Sequence, residues 1–265
     1  MNKVNRTYGL SLLWLLLLGA CGNTPDEHQD KDKPVAITIA VAANMQFAME
    51  ALTETFTQMS GIRCETAISS SGKLTAQIKE GAPFDLFISA DMKYPREIFK
   101  SGLAVASPKV YAYGKLVLWS MKEGINPTLD LLPDDQIRHI AIANPKVAPY
   151  GVAAVETLKN HQLLDKVADK LVYGESIAQT NQFIITGSTE AGFTAMSVVL
   201  SPQMEGKGKW IAIGEADYPP IEQGVVVIKR EDGPMAEAEK FYDFLASEEA
   251  RAILESFGYG VDDNM

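Results

Sequence analysis

The feature that most constrains the fold is an alternation of short β-rich runs with segments of helical periodicity, which extends from residue 36 to residue 257. The first helical segment carries an apolar side chain every three or four positions, at Met45, Met49, Leu52 and Phe56. Gly61 follows as a helix stop. This alternation is typical of α/β proteins, in which helices connect parallel strands. We therefore expect an α/β fold whose sheets are mostly parallel and flanked by helices.

The predicted strands are rich in β-branched and other apolar residues and lie at 36–41, 64–69, 86–89, 115–119, 139–143, 170–173, 192–195, 210–213 and 224–229. The predicted helices lie at 45–59, 74–79, 94–100, 152–160, 177–185, 235–245 and 250–257. Residues 35 to 265 are numerous enough for two domains of ordinary size, which is what we expect.

Residues 1 to 20 predict an export signal that does not belong to the fold. Lys3 and Arg6 precede a nearly unbroken leucine run, and small residues follow it. The run spans about 16 Å at ~1.5 Å per residue, roughly half of a hydrocarbon core, so it is too short to remain as a membrane anchor. The string Leu-Gly-Ala-Cys that ends at Cys21 resembles a lipobox, which makes Cys21 the predicted lipidation site and mature N-terminus. A chance cysteine after an ordinary signal peptide is the alternative.

Residues 21 to 34 predict a flexible tether, because they are densely charged and contain no apolar residue larger than proline after the cysteine. The expected product is an exported, membrane-anchored lipoprotein that faces the periplasm or the cell exterior. The sequence leaves open which membrane leaflet holds the lipid.

Composition excludes several classes of function. The formal net charge is −10, or −12 once the two basic residues of the signal are removed, and nucleic-acid binding calls for the opposite sign. Cys64 is the only cysteine besides Cys21, so no intramolecular disulfide is expected. The three histidines are scattered, at positions 28, 139 and 161. We therefore expect no cofactor and no metal coordinated directly by the protein.

Four strand-to-helix turns concentrate small, hydroxyl, amide and glycine residues. They lie at 42–44, 69–72, 149–151 and 175–177. Helix N-termini present unpaired N–H groups, and open α/β sheets bind ligands at the carboxyl ends of their strands. Two turns lie early in the chain and two in its middle, as a cleft between two domains requires. The turns predict a donor-only anion site, with ordinary helix capping as the alternative explanation of the same residues.

Three longer strings are more specific: GAPFDLFISAD at 81–91, YGKLVLWS at 113–120, and ANP with APYG between 143 and 151. In this order they resemble the periplasmic molybdate-binding proteins of ABC importers, from about Ile37 to Gly258. The resemblance implies a type II periplasmic binding protein fold with the ligand in the interdomain cleft. It also implies lobe I at 35–115 and 224–265, and lobe II at 116–223.

The function that the resemblance implies is capture of molybdate or tungstate and delivery to an ABC permease and its ATPase, by a monomer with no enzymatic activity. It assigns the ligand contacts to Asn44 with the Ala43 backbone, to Ser71, and to the backbone N–H groups of Tyr150 and Ile177. Ala195 stands where many relatives have a ligand-contacting tyrosine, which leaves the effect on selectivity open.

Two other functions remain as alternatives. The same fold could bind another oxyanion, such as sulfate or thiosulfate, because a fold does not determine its ligand. Ser70 and Lys73 have the Ser-x-x-Lys spacing of some exported serine hydrolases, although the Lys-Thr-Gly, Ser-Asp-Asn and Gly-x-Ser-x-Gly motifs are missing. Asp85 and Asp91 flank a predicted strand, and we expect them to cap or brace the hinge region rather than bind a cation. The sequence does not distinguish molybdate from tungstate.

Overall fold

The computed structural model describes residues 35 to 262, and Pro34–Met265 forms one compact unit. The predicted signal, the tether and the lipidation site at Cys21 lie outside the described residues. Within the described range, no helix is both long enough and apolar enough to cross a membrane.

The strands are β1 (Ala36–Ala42), β2 (Arg63–Ser69), β3 (Leu86–Ser89), β4 (Lys109–Gly114), β5 (Leu116–Ser120), β6 (Ile140–Ala143), β7 (Leu171–Gly174), β8 (Ala191–Ala195), β9 (Lys209–Ala212) and β10 (Ile221–Val227). The helices are α1 (Gln46–Ser60), α2 (Ser71–Lys79), α3 (Lys93–Lys100), α4 (Pro149–Asn160), α5 (Leu164–Val167), α6 (Ile177–Ile185), α7 (Met196–Val199), α8 (Met235–Phe244) and α9 (Glu248–Ser256).

The strands form two five-stranded sheets, in the orders β2-β1-β3-β10-β4 and β7-β6-β8-β5-β9. Helices flank both sheets, so the predicted two-lobed α/β architecture is confirmed. Each sheet combines two parallel with two antiparallel pairings, so the sheets are mixed rather than mostly parallel. The antiparallel strands β10 and β5 are the ones that follow a crossing between the sheets and enter the new sheet in the opposite direction.

The two sheets are joined by two crossings of the chain. Lys115 alone separates β4 of the first sheet from β5 of the second. The return crossing leads from β9 to β10, which begins at Ile221 rather than at the predicted residue 224. Strand β4 was not predicted, because it is an edge strand with an exposed start and lacks the continuous apolar run of the central strands.

Each lobe has a core on both faces of its sheet. In the first lobe the predicted face of α1 is buried, and Gly61 ends the helix with a left-handed φ of 74° that glycine adopts without strain. The core of the second lobe also includes Ala42, Ala43 and Ala90, which follow strands of the first sheet. The two lobes therefore pack against each other at the carboxyl ends of β1 and β3.

The second lobe contains one buried carboxylate. Glu190 Oε2 accepts hydrogen bonds from the backbone N–H groups of Arg138, at 3.1 Å, and His139, at 2.8 Å. Burial opposes ionisation, but these donors and the charge of Lys122 outweigh it and lower the pKa of Glu190 below its usual 4.5. Glu190 thus ties the start of β6 to the start of β8.

Candidate ligand-binding site

The four predicted turns converge on one small cavity between the lobes. Its walls are Ala42 to Asn44 after β1, Ser70 and Ser71 after β2, Ala90 after β3, Ala148 to Tyr150 before α4, and Ile177 at the start of α6. The cavity is narrow, with a volume of about 10 Å³, so the site suits a compact ligand. None of the described residues that line it has a charged side chain.

The serine turn offers two hydroxyl groups. Ser71 Oγ accepts a hydrogen bond of 3.0 Å from the Ala90 N–H, which orients the hydroxyl and leaves its proton for another acceptor. Ser70 is also buried, it precedes α2 without capping it, and its Oγ has no hydrogen-bond partner among residues 35 to 262. A buried hydroxyl without a partner is costly unless something in the cavity accepts its proton. The family resemblance assigns only Ser71 of this turn to the ligand, whereas the structure places Ser70 at the cavity as well.

The first turn contributes differently from what its sequence suggests. Asn44 lines the cavity, but its side-chain Nδ2 donates to Gln223 Oε1 at 2.8 Å and to the Tyr259 hydroxyl at 3.0 Å. A carboxamide has two hydrogens, so both donors are occupied by protein groups. The backbone N–H groups of Ala43 and Asn44 are the donors that this turn can direct at a ligand.

The Ala-Pro-Tyr-Gly turn starts α4 at the edge of the cavity. Pro149 occupies the first helical position, where its lack of an N–H costs nothing. Tyr150 follows, and N–H groups in the first turn of a helix have no acceptor within the helix. Glycine is required at position 151, because a Cβ there would overlap the Ala143 carbonyl. The tyrosine ring is buried, and its hydroxyl lies where a Cβ on Gly114 would be.

The fourth turn starts α6. Ser176 Oγ accepts from the Gln179 N–H at 3.3 Å, so this serine caps the helix and does not line the cavity. Ile177 is buried at the first helical position and lines the cavity. Its N–H belongs to the first helical turn and is free of intrahelical bonding. The structure thus places Asn44, Ala43, Ser71, Tyr150 and Ile177 around one cavity.

Contacts between the lobes close the cavity on one side. The Gly72 N–H donates to the Val147 carbonyl at 3.0 Å, and Lys73 Nζ lies 3.2 Å from Glu175 Oε2. The hydrogen bond from Lys73 and that from the Asn144 amide lower the pKa of the Glu175 carboxyl. Both charged side chains are about half exposed, so they lie at the rim.

The rim ion pair also bears on the hydrolase alternative. Lys73 Nζ is engaged with Glu175 and is not hydrogen-bonded to Ser70, so the Ser-x-x-Lys spacing does not form a nucleophile and its base.

Asp91 caps α3 by accepting the Tyr94 N–H, and Asp85 accepts the Thr38 N–H and pairs with Arg230. Among the described residues, no group of three or more His, Cys, Asp or Glu could hold a metal ion.

Ala195 lies at the end of β8, fully buried, and is not part of the cavity wall. The next helix, α7, instead brings the Ser197 hydroxyl to the Asn44 carbonyl at 2.7 Å. No tyrosine hydroxyl from this segment contributes to the cavity.

Comparison with known proteins identifies the family. The model of the bacterial extracellular solute-binding protein family matches residues 37–260. The chain belongs to this family. Its members are solute-binding proteins, so the predictions of a binding protein rather than an enzyme, and of a location outside the cytoplasm, are confirmed at this level.

The chain is 38% identical over 229 residues to the molybdate-binding protein ModA of Azotobacter vinelandii, covering 85% of this chain and 90% of ModA. It is 29% identical to the putative ABC transporter substrate-binding lipoprotein YvgL of Bacillus subtilis, covering 98% of this chain and 99% of YvgL. The solved periplasmic molybdate-binding protein of Azotobacter vinelandii superimposes with a TM-score of 0.81 at 32% identity, over 86% of this chain and all of that one. The predicted resemblance and the type II binding-protein fold are both confirmed.

Proposed function

We propose that this solute-binding protein captures molybdate or tungstate. The observation that carries the proposal is the cavity itself: four helix-starting turns surround a small space with N–H and hydroxyl donors and no charged side chain. The likeness to molybdate-binding proteins from Azotobacter vinelandii supports it. The proposed ligand contacts are the hydroxyls of Ser70 and Ser71 and the N–H groups of Ala43 or Asn44, Tyr150 and Ile177.

The donor-only lining favours a tetrahedral dianion that carries no proton. Molybdate and tungstate are fully deprotonated near neutral pH, so their four oxygens act only as acceptors. Phosphate retains a proton, and the cavity wall offers it no carboxylate acceptor. An unpaired buried donor costs about 1 to 3 kcal/mol, which discriminates against phosphate. Sulfate is also a pure acceptor, so it is rejected only by its smaller size in a rigid cage.

The expected affinity is high without any salt bridge to the ligand. A hydrogen bond to a charged group contributes on the order of 1.5 to 3 kcal/mol, so five or six give roughly 8 to 18 kcal/mol before the costs of desolvation and closure. Micromolar binding requires only about 8 kcal/mol. The acidic surface is tolerable, because charges more than about 8 Å away are largely screened at physiological salt, while the helix N-termini lie against the ligand.

We further propose that two bodies, 35–115 with 224–265 and 116–223, close over the ligand about the two crossings. The chain would then deliver its ligand to an ABC permease and its ATPase as a monomer. Lipidation at Cys21 is part of the proposal, and the likeness to the Bacillus subtilis substrate-binding lipoprotein over nearly the whole chain supports it. A lipid anchor would keep the protein close to its permease.

The proposal is tested by isothermal titration of the exported protein with four oxyanions at neutral pH. We expect molybdate and tungstate to bind at micromolar concentration or tighter, and sulfate and phosphate to bind at least about a hundredfold more weakly, which corresponds to about 2.8 kcal/mol. Equal affinity for sulfate would support the alternative oxyanion. If neither molybdate nor tungstate produces a heat of binding, the proposal is refuted. Labelling with a radioactive fatty acid, lost on Cys21→Ala, tests the anchor separately.

A further inference from the structure

Behind the cavity, four buried polar side chains form one hydrogen-bond network, in which Asn44, Tyr259 and Ser197 make a closed ring and Gln223 is a branch. Asn44 Nδ2 donates to the Tyr259 hydroxyl at 3.0 Å, the Tyr259 hydroxyl donates to Ser197 Oγ at 3.1 Å, and Ser197 Oγ donates to the Asn44 carbonyl at 2.7 Å. The second Nδ2 hydrogen is given to Gln223 Oε1 at 2.8 Å. The Tyr259 hydroxyl also lies 3.0 Å from the Asn44 carbonyl oxygen, so its single proton can be given either to Ser197 or to Asn44, and every group in the ring is hydrogen-bonded.

The three ring residues and Gln223 come from separate parts of the fold. Asn44 follows β1, Ser197 lies in α7 of the second lobe, Gln223 lies in the crossing strand β10, and Tyr259 follows the last helix. The ring and its Gln223 branch therefore connect the first lobe, the second lobe and the return crossing directly behind the cavity. Closed hydrogen-bond chains polarise one another and are rigid when all members are satisfied.

The ring also reaches the serine turn. Gln223 Nε2 donates to the Ala90 carbonyl at 3.4 Å, and the Ala90 N–H donates to Ser71 Oγ at 3.0 Å. The hydroxyl of Ser71 and the peptide of Asn44 are thus held by one connected set of bonds. A shift at either end changes the position of both proposed ligand donors.

Gly258 sets the backbone conformation just before the buried Tyr259. Gly258 has a φ of 79°, and a Cβ there would lie 2.8 Å from side-chain atoms of both Leu200 and Met196. The positive φ favours glycine, whereas the flexible ends of Leu200 and Met196 can move aside for a Cβ. Burial also raises the pKa of Tyr259, so its hydroxyl keeps its proton and can donate under all physiological conditions.

We infer that Ser197, Gln223 and Tyr259 are positioning residues for the anion, and that the Asn44 side chain acts through them rather than by donating to the ligand. They hold the Asn44 peptide and the Ser71 hydroxyl in fixed positions at the cavity wall. The inference rests on the proposed function, because it assigns these residues to the selectivity of the same site. Loosening the ring lets the cage contract, so discrimination against sulfate falls together with affinity for molybdate.

The test compares Tyr259→Phe with Tyr111→Phe. Both tyrosines are buried in the same apolar cluster, but the Tyr111 hydroxyl has no hydrogen-bond partner among the described residues. Both variants remove one buried hydroxyl, and only the first breaks the ring. We expect Tyr259→Phe to weaken molybdate binding on the order of tenfold and to narrow the ratio of sulfate to molybdate Kd, whereas Tyr111→Phe leaves both within about twofold.

A double-mutant cycle separates positioning from direct contact. If Asn44 acts through Tyr259, the double variant Asn44→Ala, Tyr259→Phe has the same Kd for molybdate as the single variant that binds more weakly. Multiplicative effects, or a Tyr259→Phe variant that binds as the wild type does, would overturn the inference. If the ring serves only the stability of the fold, Tyr259→Phe lowers the melting temperature without ligand and leaves the ratio of sulfate to molybdate Kd unchanged. That result would also overturn the inference.

Two further outcomes are distinguishable. If Tyr259→Phe does not fold, Ser197→Ala breaks the same ring from the other lobe and carries the same expectation. If the wild-type protein binds neither molybdate nor tungstate, the proposed function has failed; if it binds and the ring variants match it, only the positioning role has failed.

Discussion

Replacing Gly72 by alanine tests whether the cleft closes as the structure shows. Gly72 lies in the first turn of α2, and its N–H donates across the cleft to the Val147 carbonyl. A Cβ added at Gly72 would lie 3.0 Å from Val147 Cα, 3.1 Å from Val147 Cβ and 2.9 Å from the Tyr94 hydroxyl. The tyrosine end can move aside, but Val147 Cα is backbone of the opposite lobe. Val147 must therefore move by a few tenths of an ångström, which loosens the contact between the lobes.

The expected magnitude follows from the cost of overpacking. One extra methyl group in a well-packed contact costs about 1 to 3 kcal/mol, which is roughly a 5- to 150-fold increase in the Kd for molybdate. The effect on the unliganded protein has the opposite sign, because alanine is a better helix former than glycine by up to about 1 kcal/mol. Gly72→Ala should therefore bind more weakly while its free energy of unfolding without ligand stays equal or rises.

The assay is isothermal titration with molybdate, together with thermal unfolding in the absence of ligand. Gly260→Ala is the matched control, because a Cβ there meets the Tyr113 Cβ at an ordinary 3.5 Å. Unchanged affinity in Gly72→Ala would show that the lobes do not close on this contact. If Gly72→Ala lowers the melting temperature of the unliganded protein as well as the affinity for molybdate, Gly72 is needed for the stability of the fold rather than for closure of the cleft.

Three further predictions concern single side chains. Ser70→Ala should weaken molybdate binding about ten- to a hundredfold, because it removes a donor to a charged ligand, while Ser69→Ala, outside the cavity, should change little in the same titration. Glu190→Gln should lower the free energy of unfolding by about 1 to 3 kcal/mol at pH 7. Because the pKa of Glu190 is lowered in the fold, its contribution to stability is complete above about pH 4.5 and is lost as the pH falls further. The free energies of unfolding of the wild type and Glu190→Gln should therefore converge in acid. A difference that stays constant with pH would contradict this. Glu175→Gln removes the rim ion pair with Lys73 and should speed ligand release in stopped-flow measurements at low salt. The difference in release rate from the wild type should shrink as salt screens the pair. A difference that does not depend on salt would show that the ion pair does not slow release.

The sequence predicted much of this fold because the central strands and helices carry strong periodic patterns. The four turns were located correctly from their small and polar residues, and the structure brings them to one cavity. Strand β4 was not predicted, because an edge strand needs only a partial apolar pattern. The mixed direction of the strands was not predicted either, because it depends on how the crossings enter each sheet and no local sequence pattern indicates that.

The roles of individual donors were harder to predict than their locations. Asn44 was expected to contact the anion, yet its amide hydrogens face Gln223 and Tyr259, which lie 179 and 215 residues away along the chain. Ser70 was not chosen, because two adjacent serines look alike in a sequence. Only the hydrogen bond from Ala90 to Ser71, and its absence at Ser70 among the described residues, separates their environments.

A crystal structure of the molybdate complex, with anomalous diffraction recorded at the molybdenum absorption edge, tests the proposed site most directly. We expect one strong anomalous peak in the cavity, with ligand oxygens about 2.7 to 3.1 Å from Ser70 Oγ, Ser71 Oγ and the Tyr150 and Ile177 nitrogens. The Asn44 amide should still face Gln223 and Tyr259. A peak elsewhere, or an Asn44 amide turned onto the anion, would contradict it.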